Sequence, residues 1–238
     1  MKTALLIDGE FFLRRVRKVY GGVTAQEAAH FVREHATGHL RRQQRKPGRL
    51  YRIFFYDCPP LAKKVHHPIS GRSLDFSKTD VFRFRTDLHR ELLKLRKVAL
   101  RRGFIDEKHG SWILRKGALK SLLKKERKFE ELTDDDFCFD VRQKGVDMRI
   151  GLDIASLSLK QQVDQIILIA GDSDFVPAAK MARREGIDFI LDPMFAPIRP
   201  DLNEHIDGLQ SVCPNPRQSA PEDKTEIQEN GTTDRSEN

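Results

Sequence analysis

Short apolar segments that end at an acidic residue or a glycine constrain the fold of this chain more than any other feature. Four of them, at residues 3–7, 50–56, 165–170 and 188–191, are rich in large apolar side chains and bounded by Asp, Gly or Pro. Such segments are typical of strands that are buried on both faces. Longer stretches with helical spacing lie between them, an alternation that indicates βαβ units. The sequence therefore predicts an α/β fold with a mainly parallel sheet.

Two predicted helices carry signals at their ends. For a helix over residues 25–42, Thr24 and Glu27 have the capping-box spacing, in which each side chain binds a free backbone N–H of the other residue. A helix over residues 175–185 has Pro177 in its first turn and a glycine directly after it. We expect both helices to connect strands of the sheet.

The middle of the chain, residues 59–144, is predicted to form a basic insertion beside or over a site. Within it, residues 86–102 and 116–128 favour two helices rich in Lys and Arg, and residues 103–117 between them favour a small hairpin.

Charge is distributed unevenly along the 238 residues, whose formal net charge is +8. Residues 210–238 are rich in Pro, Ser, Thr, Asn and Glu and carry three basic against six acidic side chains, a net charge of −3, which leaves +11 for residues 1–209. A segment with so few large apolar residues cannot offset the entropy lost on ordering. We therefore expect one domain at residues 1–209 and a disordered acidic tail at residues 210–238.

We expect that this protein neither spans a membrane nor is secreted. No apolar stretch approaches the roughly 18 residues of a membrane span. Asp8 and Glu10 interrupt the apolar N-terminal segment before a signal-peptide core of about 7–15 residues could form. We expect a cytoplasmic protein without a membrane partner. The cysteines lack the paired spacing of a zinc site and are expected to be reduced thiols: they are Cys58, Cys138 and Cys213.

Three aspartates follow predicted strands. Asp8 comes directly after residues 3–7, and Asp172 and Asp174 come just after residues 165–170. Ligands of open parallel sheets bind outside the carboxyl ends of the strands, so we expect these three side chains at one edge. Taken singly, Asp8 also fits a turn, and Asp172 and Asp174 fit a turn and a helix cap. Their joint placement at one edge of the predicted sheet is what favours a ligand-binding site.

A fourth aspartate, Asp147, lies at the start of a predicted amphipathic helix whose Val146, Ile150 and Ile154 recur at helical spacing. A carboxylate there is also favoured as a cap by the free N–H groups and the helix dipole. Asp153 lies six residues further on, about 120° round the helix, and is therefore a secondary candidate.

Carboxylates gathered within a few ångströms repel one another, so that some of them must bind a proton or a cation. Because no His or Cys lies nearby at ligand spacing, an all-oxygen shell favours Mg²⁺ or Mn²⁺. Such ions activate a water nucleophile and stabilise the leaving oxygen when a phosphodiester is cleaved. Neither GxGxxG nor a P-loop is present, so no nucleotide cofactor is expected.

The blocks LLIDGEFF, QKGVDMRIGLDIASL and LIAGDSDFVPAAKMARREGI resemble those of the NYN domain family of PIN-like nucleases, and YRIFFYDCPP resembles its bacterial branch. This resemblance spans nearly all of residues 1–209. It implies a three-layer α/β/α, Rossmann-like fold and a ribonuclease that depends on Mg²⁺ or Mn²⁺. It also implies that four carboxylates bind the metal: Asp8, Asp147, Asp172 and Asp174.

Other residues near these blocks are assigned as follows. Many family members carry Asn where this chain has Phe11, so no polar substrate contact is carried over to that position. Ser173 and Lys144 are secondary candidates for contacts to a phosphate, although Ser173 also fits a helix cap and Lys144 a solvated lysine. Asp57 and Asp192 end strands next to prolines and are interpreted as rim residues.

Three basic clusters are expected to bind the phosphates of RNA, more readily single-stranded than paired, although any one cluster also fits a solvated helix face. Four aromatic residues offer stacking surfaces for bases, with core packing as the alternative: Tyr51, Phe82, Phe84 and Trp112. The clusters are Arg14, Arg15, Arg17 and Lys18; Arg41, Arg42, Arg45, Lys46 and Arg49; and Lys94, Arg96, Lys97, Arg101 and Arg102.

The sequence thus predicts a metal-dependent ribonuclease, and three alternatives stay open. A haloacid dehalogenase-type phosphatase would need a second Asp and Gly-Thr after Asp8, where the chain has Gly9, Glu10 and Phe11. A Toprim-type enzyme would use the Asp-Ser-Asp run but leave the KGVD block unexplained. The third alternative is an inactive RNA-binding or protein-interaction module with the same fold. A homo-oligomer is compatible with the sequence.

Overall fold

The computed structural model describes residues 1–42 and 48–216. The helices are α1 (Gly9–Tyr20), α2 (Ala25–Arg41), α3 (Asp80–Lys94), α4 (Lys116–Leu123), α5 (Val146–Leu159), α6 (Val176–Arg184) and α7 (Pro200–Asn203). The strands are β1 (Lys2–Asp8), β2 (Arg49–Asp57), β3 (Lys64–His66), β4 (Ser73–Asp75), β5 (Val98–Arg102), β6 (Phe104–Ile105), β7 (Ser111–Leu114), β8 (Phe137–Asp140), β9 (Gln143–Lys144), β10 (Gln165–Ile169), β11 (Asp188–Asp192) and β12 (Gly208–Leu209).

Six strands form one sheet in the order β12-β11-β10-β1-β2-β5, and every neighbouring pair is parallel. The register sets Ile7 of β1 beside Ile169 of β10, and Asp8 beside Tyr56 of β2. The carboxyl ends of the three central strands therefore open onto one edge of the sheet, where ligands of parallel sheets bind.

Two apolar cores cover the two faces of the sheet, because alternate side chains of a strand point to opposite faces. In β1, Ala4 and Leu6 pack with α5 and α6, whereas Leu5 and Ile7 pack with α1, α2 and α3. The four side chains are fully buried. The fold is therefore the three-layer α/β/α arrangement that was expected.

The four predicted strands and the helices with end signals are confirmed, with small differences at their ends. Thr24 and Glu27 form the predicted capping box of α2, with the Thr24 N–H bound to Glu27 Oε2 at 2.8 Å. Helix α6 has Pro177 in its first turn. The helix at residues 146–159 is also confirmed. Helix α1, which begins directly after Asp8, was not predicted.

The helix predicted at residues 86–102 is wrong in its second half. Helix α3 begins earlier, at Asp80, and ends at Lys94. Lys97 then takes a left-handed backbone conformation with φ 67°, and residues 98–102 form the edge strand β5 beside β2. The stretch predicted as an insertion therefore supplies a strand of the main sheet.

The hairpin predicted at residues 103–117 is also wrong. Its two strands, β6 and β7, do not pair with each other: β6 pairs with β9 and β7 with β8, both antiparallel. A further two-stranded sheet joins β3 and β4. The helix predicted at residues 116–128 is present but stops at Leu123.

The packed part of the chain extends beyond the predicted boundary at residue 209. The Gln210 N–H donates to the Leu191 carbonyl at 2.9 Å, and Cys213 is buried in the core next to α1 and α2. Most of the predicted disordered tail, residues 217–238, lies outside the described residues. Within the described part of the chain, no helix combines the length and apolar character required to cross a membrane.

Candidate active site

Asp8 lies where β1 passes directly into α1. Its carboxylate caps the helix by accepting the N–H groups of Glu10 and Phe11 at 3.1 and 3.2 Å. The turn requires Gly9, because a Cβ there would lie 2.6 Å from the Tyr56 carbonyl oxygen. The Asp-Gly pair at the join between β1 and α1 thus fixes the acid at the carboxyl edge of the sheet.

The pKa of Asp8 is raised to about 6, above its ordinary value. Burial is the main cause, and the charge of Asp147 raises it further, against the two backbone hydrogen bonds that favour the carboxylate. At neutral pH this site therefore holds a carboxylate whose charge is poorly solvated, a setting that favours a bound cation.

Asp147 lies in the first turn of α5. The residue before that helix is Gly145, whose left-handed φ of 80° few other residues tolerate. Burial raises the pKa of Asp147, and the charges of Asp172 and Asp174 raise it further. Three carboxylates from two separate segments of the chain therefore act on one another.

Asp172 and Asp174 follow β10 in a short 3-10 turn before α6. The Asp172 carboxylate accepts the N–H of Asp174 at 3.1 Å, which holds the turn. Gly171 lets this turn approach α1 closely, since a Cβ there would lie 2.5 Å from the Phe11 ring. The structure thus brings the four predicted acids to one edge, linked through Asp147.

The donor set fits Mg²⁺ or Mn²⁺, because it consists of carboxylates that repel one another and no sulfur or imidazole. Within the described residues, no three His, Cys, Asp or Glu side chains are grouped closely enough to hold an ion as they stand. Ligation by three or four of these aspartates therefore requires a rearrangement that brings their oxygens closer together.

A cleft of about 530 Å³ opens beside Asp8 and Asp172. Its walls include Arg14, Lys18 and Arg199, so that positive charge faces the acids. Arg199 was not singled out from the sequence. Its position in the segment after β11, at the same edge of the sheet, is the signal that could have identified it.

Arg15, predicted to bind nucleic acid, also lines this cleft but is buried. It is 6% exposed, and its guanidinium donates to the Met194 carbonyl, from Nε at 3.0 Å. Arg15 therefore ties α1 to the segment after β11, which corrects its assignment as a nucleic-acid-binding residue.

The other basic residues predicted to bind nucleic acid are exposed, and two of them also have partners within the protein. Arg41 and Arg102 are exposed, and the exposed Arg42 donates to the Ser211 carbonyl at 2.8 Å. Arg101 forms an ion pair with Asp153 at 3.1 Å. Arg45 and Lys46, predicted in the second cluster, lie outside the described residues.

The secondary candidates are only partly brought to the site. Ser173 lines the basic cleft. Lys144 forms an ion pair with Asp106 at 2.5 Å, which directs its charge to that carboxylate. Asp153 accepts hydrogen bonds from Tyr56 at 2.8 Å and from Arg101, so its carboxylate already has partners apart from the four acids.

Asp57 and Asp192 are not rim residues, which corrects their interpretation. Asp57 is 1% exposed and binds Arg85 and, at 2.8 Å, His89. Asp192 is fully buried and binds His39 at 2.8 Å. Their partners lie 28 to 153 residues away in sequence, so no local pattern could show that these carboxylates hold helices to strand ends.

The fold, with acids at the carboxyl edge of a six-stranded parallel sheet, defines a PIN-like α/β domain. The family model of the NYN domain matches residues 62–198. The chain belongs to the NYN domain family, whose members are PIN-like nucleases. Asp147, Asp172 and Asp174 lie within the matched residues, whereas Asp8 precedes them.

No curated protein matches the chain. A crystal structure of a protein of unknown function from Vibrio parahaemolyticus is 13% identical, with a TM-score of 0.45, over 89% of this chain and 92% of that one. A likeness this distant supports no argument about function.

Proposed function

We propose that this protein is a metal-dependent ribonuclease that hydrolyses phosphodiester bonds of single-stranded RNA. The observation that carries the proposal is that four aspartates lie at one edge of the sheet beside a basic cleft, with Asp147 interacting electrostatically with each of the other three. Acids alone would repel a phosphate backbone, and cations alone would only bind it. Their combination suits a site that holds both a metal ion and RNA.

Four residues would hold Mg²⁺ or Mn²⁺: Asp8, Asp147, Asp172 and Asp174. The ion would supply an activated water and charge stabilisation at the phosphate. The chain itself positions the carboxylates through the α1 cap, the left-handed Gly145 and the turn after β10. Arg14, Lys18 and Arg199 would hold the backbone of the strand beside them.

Cleavage of labelled single-stranded RNA and DNA of one sequence, with and without Mn²⁺, tests this proposal. Wild type should cut the RNA only with the metal, and an Asp172→Asn, Asp174→Asn double variant should not. Asp87→Asn is the matched control, since Asp87 is an exposed aspartate of α3 paired with Arg90. Equal cutting by wild type and the double variant, or none by either, refutes the proposal.

A second candidate is an RNA-binding module without catalytic activity. It is favoured by the absence, in the described parts of the chain, of a group of acids close enough to hold an ion. RNA binding by a wild type that cuts neither substrate would establish this candidate instead.

We also propose that the protein is cytoplasmic. It is supported by the free thiols of Cys58 and Cys213, which are buried and unpaired in the described residues, as is usual in a reducing compartment.

A further inference from the structure

A second cavity, here called the aromatic pocket, lies along the same edge of the sheet as the four aspartates. Its volume is about 280 Å³, and it lies beyond the carboxyl end of β2, between α3 and the small sheets. The basic cleft lies at the ends of β1 and β10, so the two cavities flank Asp8 along the edge of the sheet. A strand bound in the cleft can therefore extend toward this pocket.

Three phenylalanines, Phe76, Phe82 and Phe139, line the aromatic pocket. They are only half-buried, and none belongs to either apolar core of the domain. The rings of Phe76 and Phe139 lie 5.5 Å apart at 40°. By contrast, the stacking candidates Tyr51 and Phe84 pack against the cores.

Two polar side chains that line the pocket are held in place by Glu10, near the acidic site. Gln143 donates its amide to Glu10 at 2.8 Å, and Arg85 lies 3.9 Å from the same carboxylate while also bound to Asp57. Glu10 is two residues from Asp8. The carbonyl oxygen of Gln143 and the guanidinium of Arg85 thus offer an acceptor and a donor beside apolar walls.

We propose that the aromatic pocket binds an unpaired nucleobase of the RNA whose phosphate lies at the four aspartates. This inference rests on the proposed function and adds a site that selects the substrate. Every base has a π-face that stacks on an aromatic ring, and the polar rim can contact the edge of the base. A base bound there fixes which phosphate reaches the acids, and it excludes paired RNA.

Binding of short single-stranded RNAs, measured by fluorescence anisotropy with Mn²⁺, tests the inference. An Asp174→Asn background keeps the RNA intact, and abasic nucleotides replace each position in turn. Phe82→Ala should weaken binding of the full RNA about 5- to 150-fold, the loss typical of one stacked base. The same substitution should have no effect on the RNA that is abasic at the position seated in the pocket.

The matched control is Phe129→Ala, because Phe129 is 70% exposed and lies outside the pocket. It should bind all RNAs as the background protein does. The pocket is ruled out as a base-binding site if Phe82→Ala weakens binding of full and abasic RNA equally, or if no abasic position weakens binding. If the protein with Asp174 intact still cleaves RNA, that result leaves the proposed function standing. Absence of both RNA binding and cleavage refutes the proposed function itself.

Discussion

At the scale of single residues, Asp8 shows that bringing acids together destabilises the folded protein. Burial and the charge of Asp147 raise its pKa to about 6, so the carboxylate destabilises the folded protein at pH 7.5 when no cation is bound. Asn keeps the helix-capping oxygen but removes the charge.

We therefore expect Asp8→Asn to increase the free energy of unfolding by about 1–3 kcal/mol in EDTA at pH 7.5, while cleavage is lost. The measurement is urea denaturation, with Asp87→Asn expected to change stability by less than about 0.5 kcal/mol. A destabilised Asp8→Asn protein would contradict the assignment of Asp8 to a strained acidic site.

Asp57, also a buried acid, differs from Asp8 because its partners stabilise the charged carboxylate. Its burial alone would raise the pKa, but hydrogen bonds from His89 and Arg85 outweigh it and hold the pKa below its ordinary value. The stabilisation is therefore present above about pH 4 and is lost as the pH falls through the folded-state pKa.

Asp57→Asn should destabilise the protein by about 3–5 kcal/mol at pH 7, because Arg85 loses its buried partner. The difference from wild type should shrink when unfolding is followed down to pH 3. A loss of stability that does not depend on pH would show that packing, rather than charge, is what Asp57 contributes.

At the scale of elements, the join between β1 and α1 determines where Asp8 lies. Gly9→Ala places a Cβ against the Tyr56 backbone, which cannot rotate away. We expect a loss of about 1–3 kcal/mol in thermal or urea unfolding and slower cleavage, because Asp8 moves with the backbone.

Gly151→Ala is the matched substitution, since a Cβ at that helical position in α5 meets no neighbour within 4 Å. It should stabilise the protein by about 0.5–1 kcal/mol. Similar effects of the two substitutions would show that the close approach at Gly9 does not constrain the site.

At the scale of the whole molecule, local patterns predicted the sheet and the edge where the acids meet. The Thr24 capping box and the strands that end in Asp or Gly were sufficient for this prediction, because each signal involves residues close together in sequence. The helix expected through residue 102 was wrong because basic residues continue past Lys94, whereas the chain turns at Lys97 and pairs with β2.

The parts of the site that could not be predicted depend on long-range contacts. The pairing of Asp57 with His89, the burial of Arg15 against Met194 and the aromatic pocket each join segments that only the fold brings together. Sequence reasoning could predict that the four acids lie at one edge of the sheet, but it could not predict the cavities at that edge.

The central claim is that the four aspartates hold a metal ion that cuts RNA. The most direct test is the initial rate of cleavage of one labelled single-stranded RNA across Mn²⁺ concentrations, for wild type and Asp147→Asn. The wild-type rate should rise with Mn²⁺ to a plateau and vanish in EDTA, and Asp147→Asn should be slower by at least about 10- to 100-fold. Cleavage that persists in EDTA, or equal rates for the two proteins, would contradict the claim.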